Sequence, residues 1–297
     1  MFFSGFACDH VDVGEVTLRV RHGGHGSPVV LLHGHPRTHA TWHRVAPLLV
    51  RNGFAVVCPD LRGYGQSTPR PDAPDHAQAS KRAMARDVVA LMDALGHAGE
   101  GFAVVGHDRG ALAAFRTAMD HPGRVSRLVV MDGLPVIEHL ERADWRFAAD
   151  WWHWWFMGQT DKPAEVAIND NLEWWYRVAG PEAMGAEAHE ELWRALRDPA
   201  VVHGMCEDYR AGLTIDREHD EADRAAGRRL QCPTLVLWSE QDDMEDIYGE
   251  PIAVWRPWVA DGVDLQAGTI DSGHHAAEEA PEEVAAALTA FLREPSH

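Results

Sequence analysis

Short apolar runs, separated by stretches that are compatible with helices, constrain the fold of this chain more than any other feature. Apolar residues fill these runs without alternating with polar ones, a pattern typical of parallel strands that are buried on both faces. Alternation of such strands with helices predicts a mostly parallel α/β sheet flanked by helices and joined by right-handed crossovers. The runs are Pro28–Leu32, Phe54–Cys58, Phe102–Val105, Leu128–Met131 and Thr234–Trp238, with a predicted hairpin over Val11–Arg21 before them and predicted helices over Ala83–Leu95, Leu112–Met119 and Pro281–Leu292.

One long interruption breaks this alternation, between Leu134 and Arg229. The interruption contains no convincing β run, yet it holds eight of the twelve tryptophans. About a hundred residues are too many for a loop, so we predict an inserted helical cap over the C-terminal edge of the sheet. The predicted domains are a core of residues 1–133 and 230–297 and a cap of residues 134–229. Most of these tryptophans are expected to pack the cap against the core.

Charge and cysteine content exclude several classes of partner. The chain has 27 basic and 46 acidic residues, so its formal net charge is −19. A surface this acidic repels phosphate backbones and anionic lipids, and we expect neither a nucleic acid nor a membrane as partner. The four cysteines form no CxxC pair and the histidines show no HExxH spacing, so we predict no metal and no other cofactor. The first residues do not resemble a signal peptide, and a cytoplasmic location is expected.

The segment GHDRG at residues 106–110 lies between a predicted strand and a predicted helix. This pattern is that of a nucleophile elbow, with Asp108 where serine hydrolases have serine. Glycines are needed on both sides because the sharp turn brings backbones close together and strains the nucleophile. We therefore predict Asp108 as a nucleophile.

Two further motifs supply the partners that such a nucleophile needs. The segment HGHP at residues 33–36 ends a predicted strand, where backbone amides can form an anion hole and His35 can line the pocket. His274, in the segment DSGH near the C-terminus, is a candidate general base. The order nucleophile, acid, histidine is that of the α/β-hydrolase fold. Two acids compete for the middle position, because Asp132 and Asp242 each follow a predicted strand.

An aspartate nucleophile limits the chemistry. A carboxylate that attacks an acyl carbon gives an unstable anhydride, whereas attack on an sp3 carbon bearing a halogen, or on an epoxide carbon, gives an ordinary ester. Water activated by a histidine then cleaves this ester. The predicted reaction is hydrolysis of a carbon–halogen bond or of an epoxide.

Four segments resemble the haloacetate (fluoroacetate) dehalogenase family, in the capped, Asp-nucleophile branch of the α/β-hydrolase fold. They are GHDRG at 106–110, MDGLP at 131–135, WHWWF at 152–156 and CEDYRAG at 206–212. The resemblance implies that Asp108 displaces the halide, that His274 activates water and that Asp132, rather than Asp242, orients His274. It further implies that Arg109 binds the substrate carboxylate, although an ion pair with a nearby carboxylate of the protein is the other role open to Arg109, and that the enzyme is a homodimer. Donors to the leaving halide would be His153, Trp154 and Tyr209.

Other features depart from the family. Leu112 stands where the family has a second arginine, and His35 stands where the family has an aromatic residue. Two alternatives stay open, and Leu112 favours the first of them, because a neutral epoxide needs no carboxylate clamp. One is an epoxide hydrolase in which the cap tyrosines Tyr176 and Tyr209 act as the acid. The other is a binding protein on this fold without catalytic activity.

Overall fold

The computed structural model describes residues 2–68, 71–177 and 180–294, and within them eight strands form one sheet. The sheet has the order β1-β2-β4-β3-β5-β6-β7-β8. β1 and β2 form an antiparallel hairpin, and β2 also pairs antiparallel with β4. The remaining neighbours, in the order β4-β3-β5-β6-β7-β8, are all parallel. The strands are β1 Ala7–Asp12, β2 Thr17–Gly23, β3 Ser27–Leu32, β4 Phe54–Pro59, β5 Phe102–His107, β6 Val125–Met131, β7 Thr234–Ser239 and β8 Leu265–Ile270.

The helices follow the strands, and the segment between β6 and β7 is helical in its described residues. Short 3-10 helices cover His39–Trp42, Ala77–Ala79 and Arg256–Trp258, and π-helical turns cover Asp93–His97 and Gly212–Asp216. None of the described helices is long and apolar enough to cross a membrane. The α-helices are α1 Val45–Arg51, α2 Lys81–Met92, α3 Arg109–Asp120, α4 Val136–Glu141, α5 Trp145–Asp150, α6 His153–Met157, α7 Ala164–Asp170, α8 Leu172–Trp175, α9 Pro181–Met184, α10 Ala186–Leu196, α11 Pro199–Ala211, α12 Arg217–Ala225, α13 Met244–Tyr248, α14 Pro251–Trp255, α15 Ala276–Glu279 and α16 Pro281–Arg293.

The predicted α/β-hydrolase architecture is confirmed. The five predicted parallel strands are β3 to β7, the hairpin is β1 and β2, and the three predicted helices are α2, α3 and α16. β8 was not predicted, because its sequence, LQAGTI, lies at the edge of the sheet and is only half-buried. It therefore lacks the continuous apolar run of a central strand. The boundaries of the cap at residues 134 and 229 stay a prediction.

Two apolar clusters cover the two faces of the sheet because side chains alternate along each strand. On β3, Val29 and Leu31 face the cluster that holds α1 and α16, while Val30 and Leu32 face the other. The second cluster continues without a break into the cap. Packing of the cap on the core thus builds a wall above the carboxyl ends of the parallel strands, where ligands of α/β proteins bind.

Buried ion pairs join the same two parts. Arg116 on α3 is 2% exposed and pairs with Asp220 and Asp223 on α12. A charge this deeply buried is tolerated only when it is paired and hydrogen-bonded. The pairs therefore fix α12 above the helix that begins at the predicted nucleophile.

Candidate active site

The turn between β5 and α3 has the strained geometry of a nucleophile elbow. Asp108 has φ +52° and ψ −122°, a conformation that non-glycine residues rarely adopt. A Cβ atom at Gly106 would overlap the carbonyl oxygen of Gly110, and one at Gly110 would overlap that of Leu32. Strain of this kind costs about 1–3 kcal/mol and persists only where the surroundings impose it. It places the Asp108 carboxylate at the floor of a cavity under the cap.

A backbone amide holds one oxygen of this carboxylate. The N–H of His35 donates to Asp108 Oδ1 at 2.6 Å, and the backbone N–H of Arg109 helps to lower the pKa of the carboxylate. The other oxygen, Oδ2, lies 3.9 Å from His274 Nε2. Burial would raise the pKa of Asp108, but the nearby His274 and these amides outweigh burial and lower it. The group is therefore an ionised carboxylate with one oxygen fixed and one directed toward the histidine.

The acid that contacts His274 is Asp242. Its Oδ2 lies 2.7 Å from His274 Nδ1. Burial alone would lower the pKa of His274, but this hydrogen bond and the carboxylates of Asp242, Asp108 and Asp132 raise it to about 10. The pair is positioned as a general base and its orienting acid.

The expectation that Asp132 pairs with His274 is not met. Asp132 is 2% exposed and accepts hydrogen bonds from the backbone N–H and the hydroxyl of Ser239, at 2.7 and 2.8 Å. The Asp132 carboxylate is therefore hydrogen-bonded to Ser239 at the end of β7, whereas Asp242, in the loop after β7, contacts the imidazole of His274. The two carboxylates and His274 still lie within 4.8 Å of one another. Asp132 acts on the histidine by charge rather than by contact.

Arg109 is held by a buried ion pair, but its Nη1 has no hydrogen-bond partner among the described residues, so its role as a clamp for the substrate carboxylate stays a prediction. Its side chain is fully buried, is absent from the cavity lining and binds Asp208 on α11. Nε and Nη2 donate to the Asp208 carboxylate at 3.1 and 2.8 Å, and Nη2 also donates to the Asp208 carbonyl oxygen at 2.7 Å. The guanidinium stacks on the rings of Trp154 and Tyr209, 4.8 and 4.2 Å from their centroids. The second clamp position, Leu112, is packed in the apolar core.

Sequence reasoning missed the residues that hold Arg109. Asp208 also accepts a hydrogen bond from the Tyr64 hydroxyl at 2.6 Å and pairs with the buried Lys81. Lys81 pairs in turn with Asp216, at 3.7 Å. These groups come from four separate segments. The one local signal was the rarity of lysine, which the chain has at two positions only.

The three predicted leaving-group donors line the cavity together with Asp108. The His153 ring stacks on His35 at 6.5 Å and meets the Tyr209 ring edge-on at 5.7 Å. Burial lowers the pKa of His153 to about 4 and that of His35 to about 3, so both rings are neutral near pH 7.

Two of these donors are uncommitted. Across the described parts of the chain, neither the Trp154 indole N–H nor the Tyr209 hydroxyl has a hydrogen-bond partner within the protein. Burial, and then the negative Asp108, raise the pKa of Tyr209, so its hydroxyl keeps its proton. Tyr176 also lines the cavity, but its hydroxyl is directed at the sulfur of Met205, 3.4 Å away.

The cavity has a volume of about 550 Å³. Acidic side chains line it at Asp108, Asp242, Asp243 and the exposed Asp150. Its lining also includes Arg37, which makes a buried ion pair with Glu278 at 2.8 Å. The remaining lining residues are His35, Pro36, Trp151, Trp152, His153, Trp154, Trp174, Trp175, Tyr176, Arg177, Tyr209, His274 and His275.

Three groups of side chains in the described residues have the spacing of metal ligands. Two of them contain His274, whose Nδ1 is bound to Asp242. The third, Asp72, His203 and Glu207, lies away from the cavity and includes the hydrogen bond between Asp72 and His203.

Similarity to known proteins agrees with this fold and site. A model of the α/β hydrolase fold family matches residues 27–281, so the chain belongs to that family. A fluoroacetate dehalogenase from Burkholderia sp. is 41% identical, over 98% of this chain and 95% of the relative. A soluble epoxide hydrolase from Corynebacterium sp. is 30% identical over 87% of each chain. A solved structure from Nostoc sp., named as an α/β hydrolase, has a TM-score of 0.92 at 41% identity and covers 99% of this chain and 100% of that one. Within the α/β-hydrolase fold family, the protein is a haloacetate dehalogenase-like hydrolase.

Proposed function

We propose that this hydrolase cleaves the carbon–halogen bond of a small haloorganic substrate, with a haloacid as the leading class, through a covalent ester on Asp108. One observation carries the proposal. The Asp108 carboxylate has one oxygen fixed by the His35 amide and the other 3.9 Å from His274, and it shares the cavity with the uncommitted donors of Trp154 and Tyr209. Similarity to a fluoroacetate dehalogenase over nearly the whole chain supports it.

The first step is displacement. A carboxylate oxygen of Asp108 attacks the sp3 carbon, and the carbon–halogen bond breaks with its electron pair on the halide. The N–H of Trp154, the hydroxyl of Tyr209 and one N–H of neutral His153 stabilise the departing anion. Positioned donors in a site shielded from water act most strongly on charge that develops in the transition state.

The second step is hydrolysis of the ester. Neutral His274 takes a proton from water, and the resulting hydroxide attacks Cγ of Asp108. The amides of His35 and Arg109 stabilise the oxyanion, while Asp242 stabilises the imidazolium. The alcohol leaves with a proton, and Asp108 is restored with one oxygen from water.

Formation of the ester itself prepares the base. The charge of Asp108 is one cause of the raised pKa of His274. Esterification removes that charge and thereby lowers the pKa of His274, which favours the neutral imidazole that the second step needs, although Asp242 remains the main cause of the raised pKa. His274 is thus a cation beside the ionised Asp108 in the first step, and it acts as a neutral base beside the ester in the second step.

An epoxide hydrolase is the second candidate. Two observations favour it: Asp208 binds Nε and Nη2 of Arg109, the predicted anchor of a substrate carboxylate, and the Tyr209 hydroxyl can donate to an opening epoxide oxygen. The epoxide hydrolase relative is 30% identical. In this reaction Asp108 attacks the epoxide carbon, the carbon–oxygen bond of the ring breaks, the ring oxygen takes a proton from Tyr209, and a hydroxyalkyl ester forms on Asp108.

The test is a substrate panel with fluoroacetate, chloroacetate, bromoacetate and 1,2-epoxybutane, read as halide release and diol formation. We expect halide release by the wild type and by Asp150→Asn, an acid of the cavity that has no role in the mechanism, but none by Asp108→Asn. A single turnover in ¹⁸O-labelled water should place the label in Asp108. Absence of both products, or activity of Asp108→Asn equal to the wild type, would contradict the proposal. Diol without halide would establish the second candidate.

A further inference from the structure

The cavity is larger than a two-carbon haloacid requires. Even if each of the five non-hydrogen atoms of fluoroacetate filled the roughly 30 Å³ that water occupies in the liquid, the molecule would take up about 150 Å³. The cavity has about 550 Å³. Cavities of several hundred cubic ångströms enclose much larger ligands.

The unfilled space has a distinct chemical character. Near Asp108 the cavity is closed by the deeply buried Trp154 and Tyr209, whereas its open end is lined by Trp152, Trp174 and Trp175, which we name the aromatic rim. Trp175 contacts Trp152 at 5.3 Å and Trp174 at 6.4 Å between ring centroids, so the three rings form one continuous surface.

Cap packing does not account for the aromatic rim. The interior of the cap is filled by Phe147, Trp151 and Trp154, all less than a tenth exposed. Trp152 and Trp174, by contrast, are 45% and 60% exposed, although both line the cavity. Exposed aromatic surface in a concave site is what an apolar ligand group covers.

We propose that the aromatic rim is a subsite for the tail of the substrate, so that the preferred substrate carries a phenyl ring or a comparable apolar group two or more carbons from the electrophilic carbon. This inference rests on the proposed function for its reaction, but it holds for a halide and for an epoxide alike. The tail would lie on the rings of Trp152 and Trp174 while the electrophilic carbon meets Asp108.

Matched substrate pairs test the subsite. One pair is 2-bromo-4-phenylbutanoate and 2-bromobutanoate, and the other is 1,2-epoxy-4-phenylbutane and 1,2-epoxybutane. In each pair the distant phenyl group leaves the reacting carbon nearly unchanged. The expected ratio of kcat/KM, long over short, is roughly tenfold or more in the wild type, the size of one good aromatic contact. Trp174→Ala and Trp152→Ala should each lower this ratio at least about threefold, with little effect on the short substrates.

Trp145→Ala is the control, because Trp145 is 76% exposed but lies outside the cavity. The ratio should be unchanged in this variant. A wild-type ratio near one, or an equal loss in Trp145→Ala and Trp174→Ala, would overturn the inference while the short substrates still report on the proposed function.

Lack of turnover of every substrate would contradict the proposed function. In that case a binding measurement still tests the subsite. Calorimetry with 4-phenyl-1,2-butanediol and the Asp108→Asn protein should detect binding that Trp174→Ala weakens and Trp145→Ala does not. Failure of the diol to bind Asp108→Asn, or equal binding by all variants, would overturn the subsite.

Discussion

Replacing Asp242 with asparagine should stop the reaction at the ester. Asp242 accepts the 2.7 Å hydrogen bond from His274 Nδ1, whereas Asp132 is bonded to Ser239. Asparagine keeps the shape of the side chain but removes the charge that stabilises the imidazolium. The step in which Asp108 attacks the substrate needs no base, so ester formation should survive.

The size of the effect follows from the lost contact. A hydrogen bond to a charged group contributes about 1.5–3 kcal/mol, which corresponds to a roughly 10- to 150-fold slower ester hydrolysis at about 1.4 kcal/mol per factor of ten. The asparagine amide can also donate to Nδ1 and so leave the proton on Nε2, which removes the base and extends the loss to about 10⁴-fold. We expect a decrease of 10²- to 10⁴-fold in kcat, within the range that general bases contribute.

Rapid-quench kinetics and intact mass spectrometry measure this directly. Asp242→Asn should release a burst of about one halide per active site. The protein should gain the mass of the substrate fragment, and this added mass should lie on Asp108. The matched variant Asp132→Asn should retain at least about a third of kcat and show no burst, since it acts on His274 through charge alone. The reverse pattern, with ester accumulating only in Asp132→Asn, would refute the assignment of Asp242.

Three further predictions concern residues in the site and in the framework beyond it. Gly34→Ala should leave the fold intact but lower kcat about 100-fold or more, because a Cβ atom there overlaps Asp108 Oδ1; circular dichroism and halide release check this. Arg116→Ala should lower the free energy of unfolding by about 3–5 kcal/mol, since it leaves the buried Asp220 without its ion-pair partner and leaves Asp223 with Arg228 alone. Arg194→Ala, which removes the exposed pair with Glu190, should cost less than about 0.5 kcal/mol; urea titrations of the two variants would show the difference. Hydrogen bonds to Glu165 and Asp72 raise the pKa of His203 to about 9 against burial, so its stabilising effect should be complete below pH 6.5 and lost as the pH rises through 9. His203→Gln should accordingly lower the urea midpoint at pH 6 and leave it unchanged at pH 10.

Local patterns in the sequence were sufficient for the elbow and for the histidine. The two glycines around Asp108 meet a steric need that is visible within five residues, and each central strand has its own apolar run. The partner of Arg109 was not predictable in this way, because Asp208 is 99 residues away and reaches the site only when α11 packs over the elbow. The acid was ambiguous for a similar reason: Asp132 and Asp242 both follow strands, and only the hydrogen bonds of Ser239 show which carboxylate is already occupied.

The protonation of the cap tyrosines bears on both candidate reactions. A halide leaves as a stable anion and needs only hydrogen bonds, whereas an opening epoxide gives an alkoxide that must receive a proton. Burial raises the pKa of both Tyr176 and Tyr209, and the negative Asp108 raises that of Tyr209 further, so each gives up its proton less readily than an ordinary tyrosine. An alkoxide is a stronger base than a phenolate, so the Tyr209 hydroxyl can donate a hydrogen bond to a halide and can also pass its proton to an alkoxide. The protonated Tyr209 therefore fits both candidate reactions, and the products of the substrate panel, halide or diol, separate them.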